Sequence, residues 1–383
     1  MKILFVSPGC FDKGGISRYN RYQLQALRAR YGTENIKVLS LLGPDDNSFE
    51  GGFDVYWNGH GISAKDKIGL IRRVLSLSLR WRPDVIWLGH VNLSGLGKVA
   101  SMLCGAQTVL NAYGLEIWSK MRRDAAWGLR AVKYIVADCH NTADYLVTKN
   151  IRKPEDLAVI WDCIDTDRFK PASSLPSAVL EKYGIPDPAV HFNILSLGRL
   201  SKPDAFYKGY DRLLEVFTAL SGEYPHMRLI FAGRGNYREE LETMAREKGM
   251  EDKVSFTGSV DEDHLATVYQ SCHVFSLVTE SGEGKGEGIP LTPLEAMACG
   301  KPILVGNEDG SREAVIENKN GFVLPPRDLE LQKQLFRNYM DDPQLLARQS
   351  GAAAELARQY FSYTRFADEM DTFINKKINS PEK

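Results

Sequence analysis

Glu287 and Glu295 lie eight residues apart, and the segment between them contains one glycine, two prolines and a threonine. This local pattern predicts a helix with Thr292 as its N-cap, Pro293 as its first residue and Glu295 closing a Thr-x-x-Glu capping box. The free backbone N–H groups at a helix start attract anions, and Glu287 can face the same space from the preceding turn. The segment alone leaves two interpretations open: an anion site beside a carboxylate, or a plain capping box.

Two cations in the same half of the chain follow the end of a predicted strand. Arg199 stands in Gly-Arg-Leu, and Lys208 stands in Lys-Gly-Tyr-Asp, which is predicted to open a helix after a long loop at residues 201–207. Arginine offers phosphate a bidentate fork, and lysine offers a point charge. Gly233, in Gly-Arg-Gly after the next strand, permits a close approach to a ligand or forms only a tight turn. Two solvated cations near loop ends are the alternative interpretation of Arg199 and Lys208.

These motifs together resemble the signature of the retaining glycosyltransferases of family 4, which have the GT-B fold. The resemblance covers nearly the whole chain and is stronger in residues 198–326, where Cys-Gly-Lys-Pro at 299–302 and Asn-Gly-Phe-Val at 320–323 also match. It implies that a hexose or N-acetylhexosamine is transferred, with retention of configuration, from a UDP- or GDP-sugar. The implied acceptor is a glycan or a lipid-linked molecule, as in the synthesis of cell-surface polysaccharide or glycolipid.

The resemblance also implies roles for individual residues. Glu287 contacts the donor sugar, Glu295 takes the ribose hydroxyls, and the diphosphate lies at the helix start, where Pro290 has no N–H to donate. The implied catalytic residues are Glu287, Arg199, Lys208 and Tyr113, and the implied donor-binding residues are Gly15, Arg199, Lys208, Gly233, Val260, Leu291, Thr292 and Glu295. Because these cations and the helix start would replace a divalent metal, no metal or other cofactor is expected.

The first half departs from the family pattern at one position that matters for catalysis. Tyr113 stands where relatives carry a histidine, and tyrosine can donate a hydrogen bond but is a poor base near neutral pH. Glu116 is the matching acidic residue, and His90, just after a strand, is the second choice for an active-site histidine. Two alternative functions therefore stay open, a GT-B sugar-nucleotide epimerase and a non-catalytic nucleotide-sugar-binding subunit.

Strand-like and helix-like runs alternate along the chain, which predicts an α/β fold of two Rossmann-like doubly wound domains facing across a cleft. A Pro/Ser-rich stretch at 170–176 reads as the linker. We expect an acceptor-binding domain at 1–170, a nucleotide-sugar-binding domain at 171–362 and a C-terminal helix from 363 that packs back on the first domain. Predicted strands cover residues 3–7, 36–41, 85–88, 108–112, 134–137, 192–197, 228–232, 254–257, 273–277 and 302–305, and predicted helices cover 17–31, 65–80, 119–132 and 363–376.

Composition and charge narrow the class of protein and its partners. The 383 residues are 43% hydrophobic and 25% charged, as in a soluble globular protein, and six scattered cysteines without Cys-x-x-Cys favour a reducing, cytoplasmic location. Residues 1–165 hold 22 Lys and Arg against 16 Asp and Glu, a net +6, whereas the remainder holds 26 against 33, a net −7. Basic residues beside apolar ones in the first half suit binding to an anionic membrane surface. The alternative interpretation is that they belong to ordinary amphipathic helices with solvated outer faces. Nucleic acid is not expected as a partner, and without G-x-G-x-x-G a nicotinamide dehydrogenase is disfavoured.

Overall fold

The computed structural model describes residues 1–11, 14–43, 55–59, 61–282 and 285–379. The chain separates into two compact units, one of Met1–Cys163 with Tyr363–Lys383 and the other of Ile164–Ser362. Each unit has its own parallel sheet, of seven and six strands respectively, covered by helices. The predicted α/β class with two doubly wound sheets is therefore confirmed. Within the described residues, no helix combines the length and the apolar character that crossing a bilayer requires.

The sheet of the first unit has the order β3-β2-β1-β4-β5-β6-β7, and its paired strands are all parallel. Because successive side chains of a strand point to opposite faces, Ile3 and Phe5 of β1 join one core cluster while Leu4 and Val6 join the other. The elements are β1 Ile3–Gly9, α1 Gly15–Tyr31, β2 Ile36–Leu42, β3 Val55–Asn58, α2 Ala64–Arg80, β4 Val85–Leu88, α3 Ser94–Cys104, β5 Gln107–Ala112, α4 Leu115–Trp118, α5 Arg123–Ala131, β6 Tyr134–Ala137, α6 His140–Thr148 and β7 Leu157–Val159.

The sheet of the second unit has the order β10-β9-β8-β11-β12-β13 and is parallel throughout. Counted within the unit this is 3-2-1-4-5-6, the doubly wound order in which the connections reverse direction between the two central strands. The elements are α7 Ser177–Lys182, β8 Phe192–Leu197, α8 Lys202–Lys208, α9 Tyr210–Leu220, β9 Met227–Ala232, α10 Arg238–Glu247, β10 Val254–Gly258, α11 Leu265–Gln270, β11 Val274–Leu277, α12 Leu291–Ala298, β12 Ile303–Gly306, β13 Gly321–Leu324, α13 Leu329–Asp341 and α14 Pro343–Phe361.

The last helix, α15 Tyr363–Phe373, continues as a π-helical turn at Ile374–Ile378. Phe366, Met370 and Phe373 are buried in the core cluster that also contains Ile3 and Trp87. Phe373 meets the Trp87 ring edge-on at 6.0 Å between centroids. The C-terminal segment is therefore part of the core of the first unit.

The structure corrects several element predictions. The helix predicted at 119–132 begins only at Arg123, as α5, because Ser119 and Arg122 have extended backbone; the short helix α4 ends at Trp118, before the predicted range. The loop predicted at 201–207 is mostly helix α8, which begins at Lys202. Strands β3, β7 and β13 were missed. Each lies at an edge of its sheet and is only partly buried, so it lacks the continuous apolar run that marks a buried strand of similar length such as β4.

Candidate functional site

The carboxyl ends of β8 and β11 meet at the centre of the second sheet. Chain connections from these two neighbouring strands run to opposite sides, since β9 and β10 lie beyond β8 while β12 and β13 lie beyond β11. Ligands of doubly wound sheets bind at this reversal point, outside the carboxyl ends of the strands. The loops that follow β8, β9 and β11 therefore enclose the candidate site.

Lys208, the last residue of α8, forms an ion pair with Glu287, in the loop that follows β11. The Lys208 Nζ lies 3.0 Å from the Glu287 Oε1, and the two side chains are only 11% and 23% exposed. The Tyr207 hydroxyl donates to the same carboxylate oxygen at 3.0 Å. Burial by itself lowers the pKa of Lys208, but the charge of Glu287 outweighs it and holds that pKa above its ordinary value. Burial has the opposite effect on Tyr207, whose pKa it raises, because the charged form of a phenol is the deprotonated one. The pair is thus a charged lysine held against a carboxylate, with a neutral phenol beside them.

Glycines bring the loops after β8 and β9 into close contact near this pair. A methyl group added to Gly233 would overlap the carbonyl oxygen of Gly198, and Gly233 has a φ of 133°. A methyl group on Gly198 would lie 2.6 Å from the Tyr210 hydroxyl and 3.4 Å from the Lys208 Nζ. The predicted Gly233 turn is therefore a position where only glycine fits, and it packs against the loop that borders the lysine.

Replacing Gly233 by alanine should lower the free energy of unfolding by about 3 kcal/mol, because the new Cβ adds both a steric overlap and a strained φ. The control is Gly249→Ala, whose φ is 66° and whose Cβ would meet nothing within 4 Å. Strain alone at that position costs about 1–2 kcal/mol. Denaturant unfolding of both variants checks the difference, and an equal loss for the two would contradict the close packing at Gly233.

Arg199 is placed differently from Lys208. Its guanidinium Nε lies 3.2 Å from the Asp204 Oδ2, and its side chain is 77% exposed. Asp204 also accepts a hydrogen bond from the Ser201 hydroxyl at 2.6 Å. The structure therefore brings Lys208 and Glu287 together, whereas Arg199, just before α8, is mostly exposed and pairs with Asp204.

The predicted capping box is wrong. Helix α12 begins at Leu291 with Pro290 as its N-cap, and no side chain caps it. Thr292 is thus the second helical residue, and Pro293 is the third. Proline is tolerated there because N–H groups of the first turn have no acceptor within the helix. The backbone N–H groups of Leu291 and Thr292 still belong to this first turn, so the predicted anion-attracting helix start is two residues earlier than expected.

Glu295 is a buried carboxylate rather than a capping residue. It is 2% exposed, and the Tyr269 hydroxyl donates to its Oε2 at 2.7 Å. Tyr269, at the end of α11, was not singled out from the sequence. Its only sequence signal is a tyrosine within an amphipathic run, which does not distinguish a partner of Glu295 from an ordinary core residue.

Asp309 is a second functional candidate that sequence reasoning missed. It is fully buried after β12, and its Oδ2 accepts the backbone N–H of Glu287 at 2.8 Å. Burial raises the pKa of Asp309 to about 6, although hydrogen bonds to the carboxylate act in the opposite direction. An aspartate before glycine and serine reads locally as a turn or cap, so the long-range bond to Glu287 left no mark in the sequence.

The remaining predicted residues lie elsewhere in the two units. Val260 is half-buried two residues beyond β10, and Gly15 is the first residue of α1, whereas Asp12 and Lys13 of the same glycine-rich loop lie outside the described residues. The Tyr113 hydroxyl donates to the Asn20 Oδ1 at 2.9 Å and accepts from the Asn111 Nδ2 at 3.1 Å. Tyr113 thus belongs to a buried polar network of the first unit, and burial raises its pKa.

Two titratable groups near Tyr113 and β4 have shifted pKa values. The Glu116 carboxylate accepts the Tyr113 backbone N–H at 2.7 Å, and burial raises the pKa of Glu116 to about 7. Burial lowers the pKa of His90 to about 4, and its Nδ1 accepts the Asn92 N–H at 3.1 Å. His90 is therefore neutral at physiological pH. In the part of the chain that the structure describes, no group of three or more His, Cys, Asp or Glu residues could hold a metal ion.

Comparison with known proteins identifies the family. Residues 190–356 match the model of the glycosyl transferases group 1. The chain is 30% identical over 278 residues to the GDP-mannose-dependent alpha-(1-6)-phosphatidylinositol monomannoside mannosyltransferase of Mycolicibacterium smegmatis. The aligned region covers 69% of each protein. The chain belongs to the glycosyl transferases group 1, glycosyltransferase family 4. This nucleotide-sugar glycosyltransferase is also 27% identical, over 66% of its chain and 55% of the relative, to the mannosylfructose-phosphate synthase of Agrobacterium fabrum.

Solved structures confirm the fold of this glycosyltransferase. HepE of Anabaena, in a crystal structure with UDP-glucose, matches 98% of the chain with a TM-score of 0.77 at 18% identity, and the match covers 99% of HepE. The sucrose-phosphate synthase of Thermosynechococcus elongatus matches 98% of the chain and 99% of its own with the same TM-score at 16% identity. The predicted GT-B fold is therefore confirmed.

Proposed function

We propose that this glycosyltransferase transfers a hexose or N-acetylhexosamine from a UDP- or GDP-sugar, with retention of configuration, to a glycan or lipid-linked acceptor. The observation that carries the proposal is the Lys208–Glu287 ion pair at the reversal point of the second sheet. It supplies a cation for a diphosphate and a carboxylate for a sugar within one small space. The first unit, with Gly15 and Tyr113, is then the acceptor-binding part of the molecule.

The donor would bind with its diphosphate between Lys208 and the start of α12. The backbone N–H groups of Leu291 and Thr292 and the positive end of the helix dipole favour negative charge there. On binding, the Lys208 ammonium exchanges part of its contact with Glu287 for phosphate oxygens. Arg199 is exposed enough to swing toward the same charge, and Gly233 and Val260 border the nucleotide. Relatives support both donor classes, since one is GDP-mannose-dependent and another binds UDP-glucose.

The proposed chemistry is same-face substitution at the anomeric carbon. The bond from that carbon to the diphosphate oxygen breaks, and the bond to the acceptor oxygen forms on the same side. The departing diphosphate accepts the proton of the acceptor hydroxyl, so no protein base is needed, which suits the neutral Tyr113. Lys208 and the helix start stabilise the charge that builds on the leaving group. Glu287 orients the sugar and stabilises its developing positive charge, and Glu295 holds the ribose.

A thermal-shift screen of UDP, GDP, ADP and their common sugar conjugates, with EDTA present, tests the donor site. A ligand that binds the folded state raises the unfolding midpoint by mass action. We expect a shift with UDP or GDP and its conjugates, followed by transfer of the corresponding sugar to an acceptor extract. The absence of a shift with every nucleotide would contradict the proposal and favour a site that binds no nucleotide-sugar.

We further propose that the first unit docks on an anionic membrane to reach a lipid-linked acceptor. Helices α2, α3 and α5 pack side by side and expose large apolar side chains, namely Ile68, Ile71, Leu79, Val99, Met102, Leu103 and Trp127. Exposed cations on the same helices are Lys65, Lys67, Arg72, Arg73, Arg80, Arg123 and Arg130. Apolar groups flanked by cations suit a headgroup interface. The mannosyltransferase relative, named for a phosphatidylinositol acceptor, is consistent with such a location.

Vesicle binding should therefore depend on these helices. We expect Met102→Ser with Trp127→Ser to lower the partition onto phosphatidylglycerol-containing vesicles by about tenfold, because two exposed apolar anchors are lost. Cosedimentation measures the bound fraction. Val190→Ser is the control, since Val190 is an apolar residue of the second unit whose exposure, 65%, lies between those of Trp127 at 46% and Met102 at 70%. Equal binding to purely phosphatidylcholine vesicles, or an equal loss in the Val190 variant, would contradict the docking surface.

A further inference from the structure

The backbone of Glu287 is held from both sides by the residues that follow β12. Its N–H donates to the Asp309 Oδ2 at 2.8 Å, and its carbonyl oxygen accepts the N–H of Gly310 at 3.0 Å. Two bonds to adjacent residues fix both peptide groups of Glu287. Asp309 and Gly310 thereby fix the position of the Glu287 backbone. The loop that contains Glu287 is rich in glycine and constrains that backbone less.

Asp309 is itself firmly placed. It is fully buried, and its second carboxylate oxygen, Oδ1, accepts the N–H of Ser311 at 3.0 Å, which caps the 3-10 helix Gly310–Ala314. The Ser311 hydroxyl in turn lies 3.2 Å from the Thr279 hydroxyl, just after β11. The Thr279 and Ser311 hydroxyls also hydrogen-bond to the Asp309 carboxylate, whose Oδ1 accepts the cap bond and whose Oδ2 accepts the Glu287 N–H. The two uses can be separated by mutation.

We propose that Asp309 is a positioning residue for sugar transfer, which fixes the Glu287 backbone so that the Glu287 carboxylate meets both the Lys208 ammonium and the donor sugar. The inference rests on the proposed function, because it assumes that Glu287 acts on the sugar. A displacement of about 1 Å at a reacting group costs on the order of 10²-fold in rate. A buried carboxylate that anchors the backbone of Glu287 is therefore expected to affect turnover more than nucleotide affinity.

The variant that separates the two uses of Asp309 is Asp309→Ser. Serine is a favoured cap and keeps the bond to the Ser311 N–H, but its single short hydroxyl does not also reach the Glu287 N–H. We expect kcat for release of UDP or GDP from the sugar nucleotide to fall about tenfold, while the Kd for UDP or GDP changes less than twofold. The control is Asp328→Ser, because Asp328 caps α13 through the Leu331 N–H at 2.9 Å and does not contact Glu287.

A double-mutant cycle with Glu287→Gln distinguishes a positioning role from a purely structural one. It compares the loss of kcat caused by Asp309→Ser in the wild-type and Glu287→Gln backgrounds. If Asp309 acts through Glu287, adding Asp309→Ser to Glu287→Gln should lower kcat by less than twofold, because there is no carboxylate left to position. A role in folding alone would give the same loss in both backgrounds. Should the serine variant fail to fold, Asp309→Asn keeps one oxygen for the cap and presents an amide to the Glu287 N–H, and it is measured in the same cycle.

The outcomes distinguish the inference from the function on which it rests. If Glu287→Gln lowers kcat and Asp309→Ser does not, or if the two losses multiply, Asp309 is only a cap and the inference is wrong. If Glu287→Gln turns over like the wild type, or if the wild type binds neither UDP nor GDP, the proposed function fails and the inference falls with it. A non-additive loss in kcat at constant nucleotide affinity supports both.

Discussion

Replacing Lys208 by methionine should lower kcat/KM for release of the nucleoside diphosphate by about 10³-fold. The Lys208 side chain is only 11% exposed, and loss of one preorganised group that stabilises developing charge costs on the order of 10²–10³-fold. The loss extends to binding as well, because the same cation meets the diphosphate in the ground state. Steady-state kinetics with the donor found in the thermal screen measures both parameters.

The matched control for this variant is Lys202→Met, at the other end of the same helix α8. Lys202 is 57% exposed and pairs with Glu240 at the surface, an arrangement that contributes little to stability. We expect its kinetics to stay within twofold of the wild type. Lys208→Arg is also informative, since a planar guanidinium does not reproduce a compact ammonium packed beside Gly198. A kcat/KM within threefold of the wild type in a folded Lys208→Met protein would refute its role.

The two glutamates should separate turnover from binding. Glu287→Gln is expected to lower kcat by about 10²-fold with little change in KM, because its charge acts mainly on the positive charge that develops in the transition state. Glu295→Gln is expected instead to raise KM about tenfold with kcat nearly constant, because charge-assisted hydrogen bonds to the ribose are made in the ground and transition states alike. Initial-rate measurements over a range of donor concentrations check the split.

The control for Glu295 is Tyr269→Phe. It removes the hydroxyl that donates to the Glu295 carboxylate but leaves the carboxylate in place. We expect a loss of about 1 kcal/mol in the free energy of unfolding and a change in KM of less than threefold. If Tyr269→Phe raises KM as much as Glu295→Gln does, the carboxylate acts through the buried bond and does not bind the ribose. Unchanged kinetics in both glutamate variants would refute the site altogether.

The buried position of Glu295 shows where local reading of the sequence fails. The Thr-x-x-Glu spacing is a sound capping signal, yet the helix begins at Leu291 because extended backbone at Pro290 ends the preceding turn there. Once the helix starts two residues early, Glu295 lies in its second turn and can no longer reach back to its first N–H groups. Its carboxylate pairs with Tyr269 of another helix instead.

The sequence by itself determined the alternation of buried strands and amphipathic helices, and so the doubly wound class. It also determined the residue types at the strand ends, because glycines, two cations and a helix start after apolar strands suffice to predict an anion site, with Glu287 facing the same space. Hydrophobic periodicity and turn signals depend on about ten consecutive residues. Strands such as β8 could therefore be predicted from the sequence with the right bounds.

Only the tertiary structure decided which of these residues meet. Tyr207 and Glu287 are 80 residues apart in the chain. Tyr207 and Lys208 nevertheless contact the same carboxylate oxygen of Glu287, because β8 and β11 are neighbours in the sheet. Asp309 reaches Glu287 because β12 lies next to β11. Strand order follows from packing of the whole unit and leaves no short-range pattern, so the ion pair and its buried anchor emerge only when the sheet is assembled.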